Sequence, residues 1–338
     1  MLTINSPLDW LPPSRGGRGE RSIIVYNMKK KYLILAMMSL FLFVACSSND
    51  EEQQNSKAIA FSPSVGVLSR ADLKSVWVTE GADADAFKVL AVTEESGNPV
   101  TLINNEAVSY QNGLWQTASK HYWPAYNAEI NFYAYYPTSL SEVFNYNAGN
   151  APTLTYAVPA AAADQMDILA ASVAHTPSAS SSVVDLEFNH MLSGLYFTYQ
   201  SDGVAGTIKS ISISNHYSAG TYTFGTGWAS LNTQRSLTLT PNVEVSLAES
   251  ANKVVVPVTS PYLVMPQTLT DGSTITVVFE DAKGVSHNLV AELSQLEWPQ
   301  GKLVEYVISI SSLFELNITS TVQPWNETVP TQVEVNVS

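Results

Sequence analysis

The sequence predicts an all-β protein built from two β-sandwich domains, and three observations predict it. Short runs in which apolar and polar residues alternate recur along most of the chain, the signature of half-buried strands. Turn signals separate these runs, among them Asn98-Pro99, Asn112-Gly113 and Asp281-Ala282-Lys283-Gly284. No stretch carries an apolar stripe at helical spacing over three turns. A sandwich buries alternate residues of two sheets against each other, which accounts for the period of two.

Residues 1–27 hold Pro12-Pro13, Gly16-Gly17 and three arginines, with no periodic signal. The expected start is Met28, which places Lys29-Lys30-Lys31 directly ahead of an apolar stretch from Tyr32 to Ala45. That stretch is short of the roughly 20 residues a membrane-crossing helix needs, and suits a signal peptide over 28–45. It ends in Leu42-Phe43-Val44-Ala45-Cys46, and Cys46 is the only cysteine of the chain. A lone cysteine forms no internal disulfide. The order basic, apolar, small residue, cysteine resembles a bacterial lipoprotein signal, which implies lipid attachment at Cys46. The competing reading is an uncleaved anchor with an incidental cysteine. Residues 46–57 are polar and acidic and read as a flexible tether.

From Cys46 onward the 293 residues carry 10 basic against 28 acidic side chains, a formal net charge of −18. Such a surface repels nucleic acid, so no nucleic-acid partner is expected. Length and composition suggest a domain over 58–180 and a second over 183–338. The boundary is placed at the linker-like run His175-Thr-Pro-Ser-Ala-Ser-Ser-Ser182.

Along the first half, Ile59 and Phe61 alternate before Pro63. Phe87, Val89, Ala91 and Thr93 share a face, and Asn112-Gly113 predicts a hairpin turn ahead of Trp115. Ile130, Phe132, Ala134 and Tyr136 form a strand that Pro137 ends. Residues 141–165 read as loop with a weak strand near Leu154 and Tyr156, and Asp167–Ala171 as a short strand or helix. In the second half Val184, Leu186, Phe188, His190 and Leu192 share a face. Leu195, Phe197 and Tyr199 follow with shifted parity, which makes Ser193-Gly194 a candidate β-bulge. Short strands follow at Ile211–Ile213, Tyr222–Phe224, Leu237–Leu239, Val254–Val258, Ile275–Phe279, Ser286–Val290 and Val304–Ile310. Leu316, Ile318 and the run Val333, Val335, Val337 close the chain.

Chemistry-bearing residues are sparse. His121, His175, His190, His216 and His287 make no pair at metal-ligand spacing. No glycine-rich phosphate loop or Asp ladder is present, so no metal, no cofactor and no catalytic residue is expected. Asp164, Asp167, Asp185 and Glu187 could flank a sugar as paired carboxylates do, but 28 scattered acids produce such pairs by chance. His190 lies on an apolar face and reads as a buried histidine bonded to backbone. The tryptophans from Trp77 to Trp325 offer either a glycan-stacking platform or packing, and packing is favoured. Asn317-Ile318-Thr319 and Asn326-Glu327-Thr328 match a glycosylation pattern that has no meaning behind a bacterial lipoprotein signal.

Several stretches together resemble the fimbrillin-like lipoproteins of Bacteroidota, the group of major and minor fimbrial subunits. They are Ile59-Ala60-Phe61-Ser62 with Ser69-Arg70-Ala71, Tyr122-Trp123-Pro124 with Asn131–Pro137, and Asp167–Ala170 with Leu186–Ser193. Leu263–Thr268, Trp298–Lys302 and Glu305–Ile310 complete the set. The resemblance implies two transthyretin-like β-sandwich domains in tandem and a non-enzymatic role in a surface fimbria at the outer membrane. It also implies a trypsin-like protease that cuts between Arg70 and Ala71, loss of a strand at about 58–68, and strand exchange with other fimbrial subunits. An alternative reading is a non-polymerising surface lipoprotein that binds glycan or a host ligand.

Two outcomes check the amino-terminal reading. N-terminal labelling of the newly made precursor is expected to find Met28, and a start at Met1 would sink that assignment. Labelled palmitate is expected on the wild-type chain and absent from Cys46→Ala; equal incorporation in both would remove the lipid from Cys46.

Overall fold

Alternation decides which side of each strand is buried. In the run from Val184 to His190, Val184, Leu186, Phe188 and His190 are buried while Asp185, Glu187 and Asn189 between them are exposed. The computed structural model describes residues 58–65, 77–81, 84–124, 129–176, 183–246, 254–255 and 261–325. Cys46, Arg70, Ala71, the segments 28–45 and 46–57 and the run Val333–Val337 lie outside the described residues. Among the described residues the only helical segments are two short 3-10 turns, Thr138–Val143 and Ala162–Asp164. No helix there is long and apolar enough to cross a membrane.

The first half contributes β1 (Ala60–Val65), β2 (Ala86–Glu95), β3 (Asn98–Gln111), β4 (Leu114–Thr117) and β5 (Ile130–Tyr136). Then come β6 (Phe144–Asn145), β7 (Thr153–Ala157), β8 (Leu169–His175) and β9 (Val183–His190). Seven of these close into a barrel in the order β1-β4-β3-β2-β5-β8-β9, with β9 returning to β1. The expected open sandwich over 58–180 is therefore corrected to a closed barrel. The physical reason is β1, which pairs antiparallel with β4 on one side and parallel with β9 on the other. The barrel is filled by Phe61, Phe87, Val89, Phe132, Leu186 and Phe188 among others. The β3–β4 hairpin turns at Asn112 (φ 52°) and Gly113 (φ 83°), left-handed positions that asparagine and glycine tolerate.

The second half contributes β10 (Ser193–Asp202), β11 (Gly206–Thr223), β12 (Gly227–Leu239), β13 (Val243–Val245), β14 (Val254–Val255) and β15 (Tyr262–Val264). After them come β16 (Gln267–Thr268), β17 (Thr274–Asp281), β18 (Ser286–Glu292), β19 (Glu297–Trp298), β20 (Lys302–Ser311) and β21 (Leu316–Pro324). One sheet runs β14-β10-β20-β21 with β15 also on β10, and another runs β18-β17-β11-β7-β6 with β12 and β13 also on β11. The small pair β16-β19 stands apart. Phe197 of β10, Tyr306 of β20, Ile211 of β11 and Phe279 of β17 share one core between the two larger sheets. There Phe197 and Tyr306 stack with ring centroids 5.8 Å apart, and Trp298 Nε1–H donates to Tyr306 Oη at 2.8 Å.

Two local expectations change, and a third is met with a partner from the second half. Ser193-Gly194 is no bulge: β9 ends at His190, Met191 N–H donates to Ile168 O at 2.9 Å, and Ser193 opens a strand of a different sheet. The parity shift marks the passage from barrel to sheet. The strands expected at Ile211–Ile213 and Tyr222 belong to the single 18-residue β11, whose pairing with β12 shifts register between Ile213 and His216. The weak strand near Leu154 is β7, which pairs with β11 over Thr153–Ala157 although it precedes residue 176.

A third core joins residues from before and after that point, including Tyr135, Leu154 and Ile168 with Met191, Tyr196, Met265 and Trp325. Beside it lies a crevice open to solvent, lined by Val158, Gln165, His216, Ser218, Arg235 and Met265. Arg235 Nη1 donates to Val158 O at 2.7 Å. His216 is 4% exposed, and burial together with the Arg235 guanidinium lowers its pKa to about 4.

A histidine held neutral in the fold and protonated in the unfolded chain stabilises the fold fully above pH 6.5, the value it has when unfolded. That contribution is lost as pH falls from 6.5 towards 4, and it is on the order of 3 kcal/mol. Urea unfolding at pH 7 and at pH 4.5 is expected to show a smaller loss for His216→Leu than for wild type. Equal losses would assign the acid sensitivity elsewhere.

Candidate functional site

The seam that β1 fills is the candidate site. Its sequence supplies Ile59 and Phe61 at alternate positions, and both side chains point inward at 3% exposure. Ser62 and Ser64 face solvent, with Pro63 and Val65 half-buried. Phe61 meets Phe87 and Phe132 edge-on, at centroid distances of 6.1 and 5.9 Å. Burying Ile59 and Phe61 contributes roughly 1.5–3 kcal/mol each.

The two banks of the seam hold β1 unequally. Towards β9 the parallel register runs over six residues, from Ala60↔Val183 to Val65↔Phe188. Towards β4 it has the single pair Phe61↔Trp115. Just ahead of the strand, Ile59 N–H donates to His121 O at 2.8 Å, and Ala58 bridges Tyr122. Pro63 has no N–H to give, so the strand is a poor ladder donor at its middle. Apolar insertion at Phe61 therefore matters more to its seating than hydrogen bonding along β4.

Against the barrel core Trp77 packs on Tyr136, with centroids 5.5 Å apart. Burial, and then the nearby Asp85 carboxylate, push the Tyr136 phenol up to about 12, so it stays protonated at any physiological pH. Asp85 is itself 8% exposed and accepts the Val78 N–H at 2.6 Å.

The other singled-out residues do not assemble into a reactive centre. Asp185 and Glu187 face outward on β9, whereas Asp167 is buried against His190. The expected backbone partner of His190 is corrected to that carboxylate, with Nδ1 at 2.8 and 3.0 Å from its two oxygens. The imidazole stacks on Trp325, centroids 4.4 Å apart, at the end of β21. His190 and Asp167 lie 23 residues apart, so neither local pattern announces the other. Trp115, Trp123, Trp298 and Trp325 are buried, and half-buried Trp228 donates Nε1–H to Met191 O at 2.6 Å. Among the described residues the tryptophans thus serve packing and offer no exposed platform. His287 stacks on Phe314 at 3.7 Å and sits 3.2 Å from Asp281. The Val285 N–H, followed by His287, holds the Asp281 carboxyl below its usual range. This arrangement braces the β17–β18 turn. Among the described residues no group of three His, Cys, Asp or Glu side chains could hold a metal ion.

Comparison with known proteins bears on this architecture. The chain has the fold of a fimbrial protein from Bacteroides vulgatus ATCC 8482, with a TM-score of 0.56 at 14% identity, over 79% of this chain and 99% of that one. It is similar to a candidate cell adhesion protein from Bacteroides uniformis ATCC 8492, with a TM-score of 0.51 at 21% identity, over 79% and 98% of the two chains. A candidate cell adhesion protein from Bacteroides ovatus ATCC 8483 gives a TM-score of 0.50 at 14% identity, over 80% and 98%. At these identities the likeness concerns the fold. No curated protein sequence matches significantly. The model of the fimbrillin-like family matches residues 70–325, from Arg70 through the end of β21, and leaves β1 outside the match. The protein belongs to the fimbrillin-like family.

Proposed function

We propose that this chain is a structural subunit or membrane anchor of a surface fimbria, contributes to adhesion, and assembles by β-strand donation. The observation that carries the reading is the seating of β1: one short strand closes the barrel, inserts Phe61 between Phe87 and Phe132, and meets β4 through a single register pair. Removing such a strand leaves two sheet edges with unpaired backbone groups and an apolar pocket between them. That is the kind of groove an extended donor segment completes.

In this reading the chain reaches the outer membrane as a lipoprotein attached through Cys46. A trypsin-like protease cuts between Arg70 and Ala71, and one cut frees lipid and β1 together. The barrel from β1 through β9 is the acceptor unit, and the chain that follows supports it through the shared core. An uncut chain stays on the membrane with its groove filled; a cut chain leaves the lipid and accepts a neighbour. Membership of the fimbrillin-like family and the fold shared with a fimbrial protein support this role. The glycan-binding alternative has less support, because its aromatic platform is spent on packing.

Treatment of the purified chain with a trypsin-like protease is expected to yield a form beginning at Ala71 and SDS-resistant ladders on unheated gels. Arg70→Ala should abolish both. A cut chain that stays monomeric at every concentration tested would sink strand donation.

A further inference from the structure

Trp77 follows β1 by twelve residues in the chain, yet it packs against both strands that β1 separates. Its indole lies 5.6 Å from the ring of Trp115 on β4 and 5.0 Å from that of Phe188 on β9. These two residues are the register partners of Phe61 and Val65. The same indole contacts Phe87 on β2 at 5.4 Å, and Phe61 touches Phe87 as well, at 6.1 Å. Trp77 thus touches both banks of the seam, while Phe61 fills the seam itself.

The segment that carries Trp77 is attached to the barrel by contacts other than β1. Val78 N–H donates to the Asp85 carboxylate at 2.6 Å, and Asp85 N–H donates back to Val78 O at 2.8 Å. Asp85 immediately precedes β2, so this reciprocal pair ties the Trp77 backbone to the opposite wall of the barrel. Tyr136, at the end of β5, adds an edge-on contact at 89° between ring planes.

From this geometry we propose that Trp77 is a positioning residue that keeps the acceptor groove in shape when β1 is absent. The inference rests on the strand-acceptance reading above. With β1 in place β4 and β9 stand two strand spacings apart, about 9.5 Å, and direct pairing would bring them to about 4.8 Å. A vacated seam can close that way, or splay, and either outcome destroys the site. An indole wedged between Trp115 and Phe188 opposes both movements, because closure would crush it and splaying would strip its ring contacts. The groove then needs little reorganisation to receive an extended segment with an aromatic residue at the Phe61 position, the preorganisation that strengthens binding without adding contacts.

The test uses the full chain with a site-specific protease sequence placed between Val65 and Trp77, so that it does not depend on Arg70. After cutting, a fluorescein-labelled synthetic peptide of residues 58–65 competes with the resident strand, and capture is followed by anisotropy. The wild-type protein is expected to capture the peptide, Trp77→Ala to bind it at least tenfold more weakly, and Trp77→Phe to stay within about threefold, since a phenyl ring keeps part of the edge-on packing. Uncut Trp77→Ala, with β1 still covalently present, is expected to keep the wild-type circular dichroism spectrum. Equal capture by Trp77→Ala and wild type overturns the proposal. So does an unfolded uncut variant, which would make Trp77 a general core residue. Failure of the cut wild-type protein to capture any peptide would instead overturn strand acceptance, and the role of Trp77 with it.

Discussion

A sheet closes into a ring only when its two end strands meet. In this barrel they do not meet directly: β4 and β9 are each paired on one side and are joined by β1 alone. Everything about the first half follows from that constraint. Phe87, Phe132 and Phe188 are shielded because Phe61 and its neighbours complete the wall around them. The parallel run against β9 holds the strand along its length, and the single pair with β4 leaves the other bank lightly held.

The second half is built on a different principle. Its two larger sheets pack through a core of aromatic and branched side chains. Long β11 does much of the organising, since β7, β12, β13 and β17 all pair with it at different points along its length. Through β7 the first half contributes to that sheet, and through Tyr135, Leu154, Met191, Tyr196 and Trp325 both halves share a core. The buried Asp167–His190 pair, stacked on Trp325, fastens the end of β21 to the end of β9.

Local order in this fold was legible in the sequence, and long-range pairing was not. Alternation is legible around Val184–His190 because a half-exposed strand writes its period into its residues, whereas Val304–Ile310 keeps the apolar alternation although both faces of its strand are buried. Asn112-Gly113 announced a turn for a conformational reason that needs no tertiary context. Barrel closure was invisible, since nothing within Ala60–Val65 states that its neighbours are strands at 114–117 and 183–190. The same holds for His190, whose apolar face predicted burial but whose partner lies 23 residues back. The parity change at Ser193 does not separate a bulge from a passage between sheets, because both leave the same mark on one strand's alternation. Of the candidate site, the alternating Ile59 and Phe61 were legible as a strand. The part played by Trp77 was not, because ring packing across a seam leaves no periodic trace.

The light hold on β1 has a kinetic side. While the chain is continuous, the strand competes for its own seam at an effective concentration of about the millimolar order, set by the connection to Trp77. A break between Val65 and Trp77 leaves the contacts of Ala60–Val65 themselves intact, yet it replaces that local concentration with whatever the surroundings supply. Occupancy of the seam then becomes a contest among all extended segments nearby, decided by their number and by how well each fills the Phe61 pocket. The backbone between the two residues acts as a concentration device, and its integrity sets which strand wins.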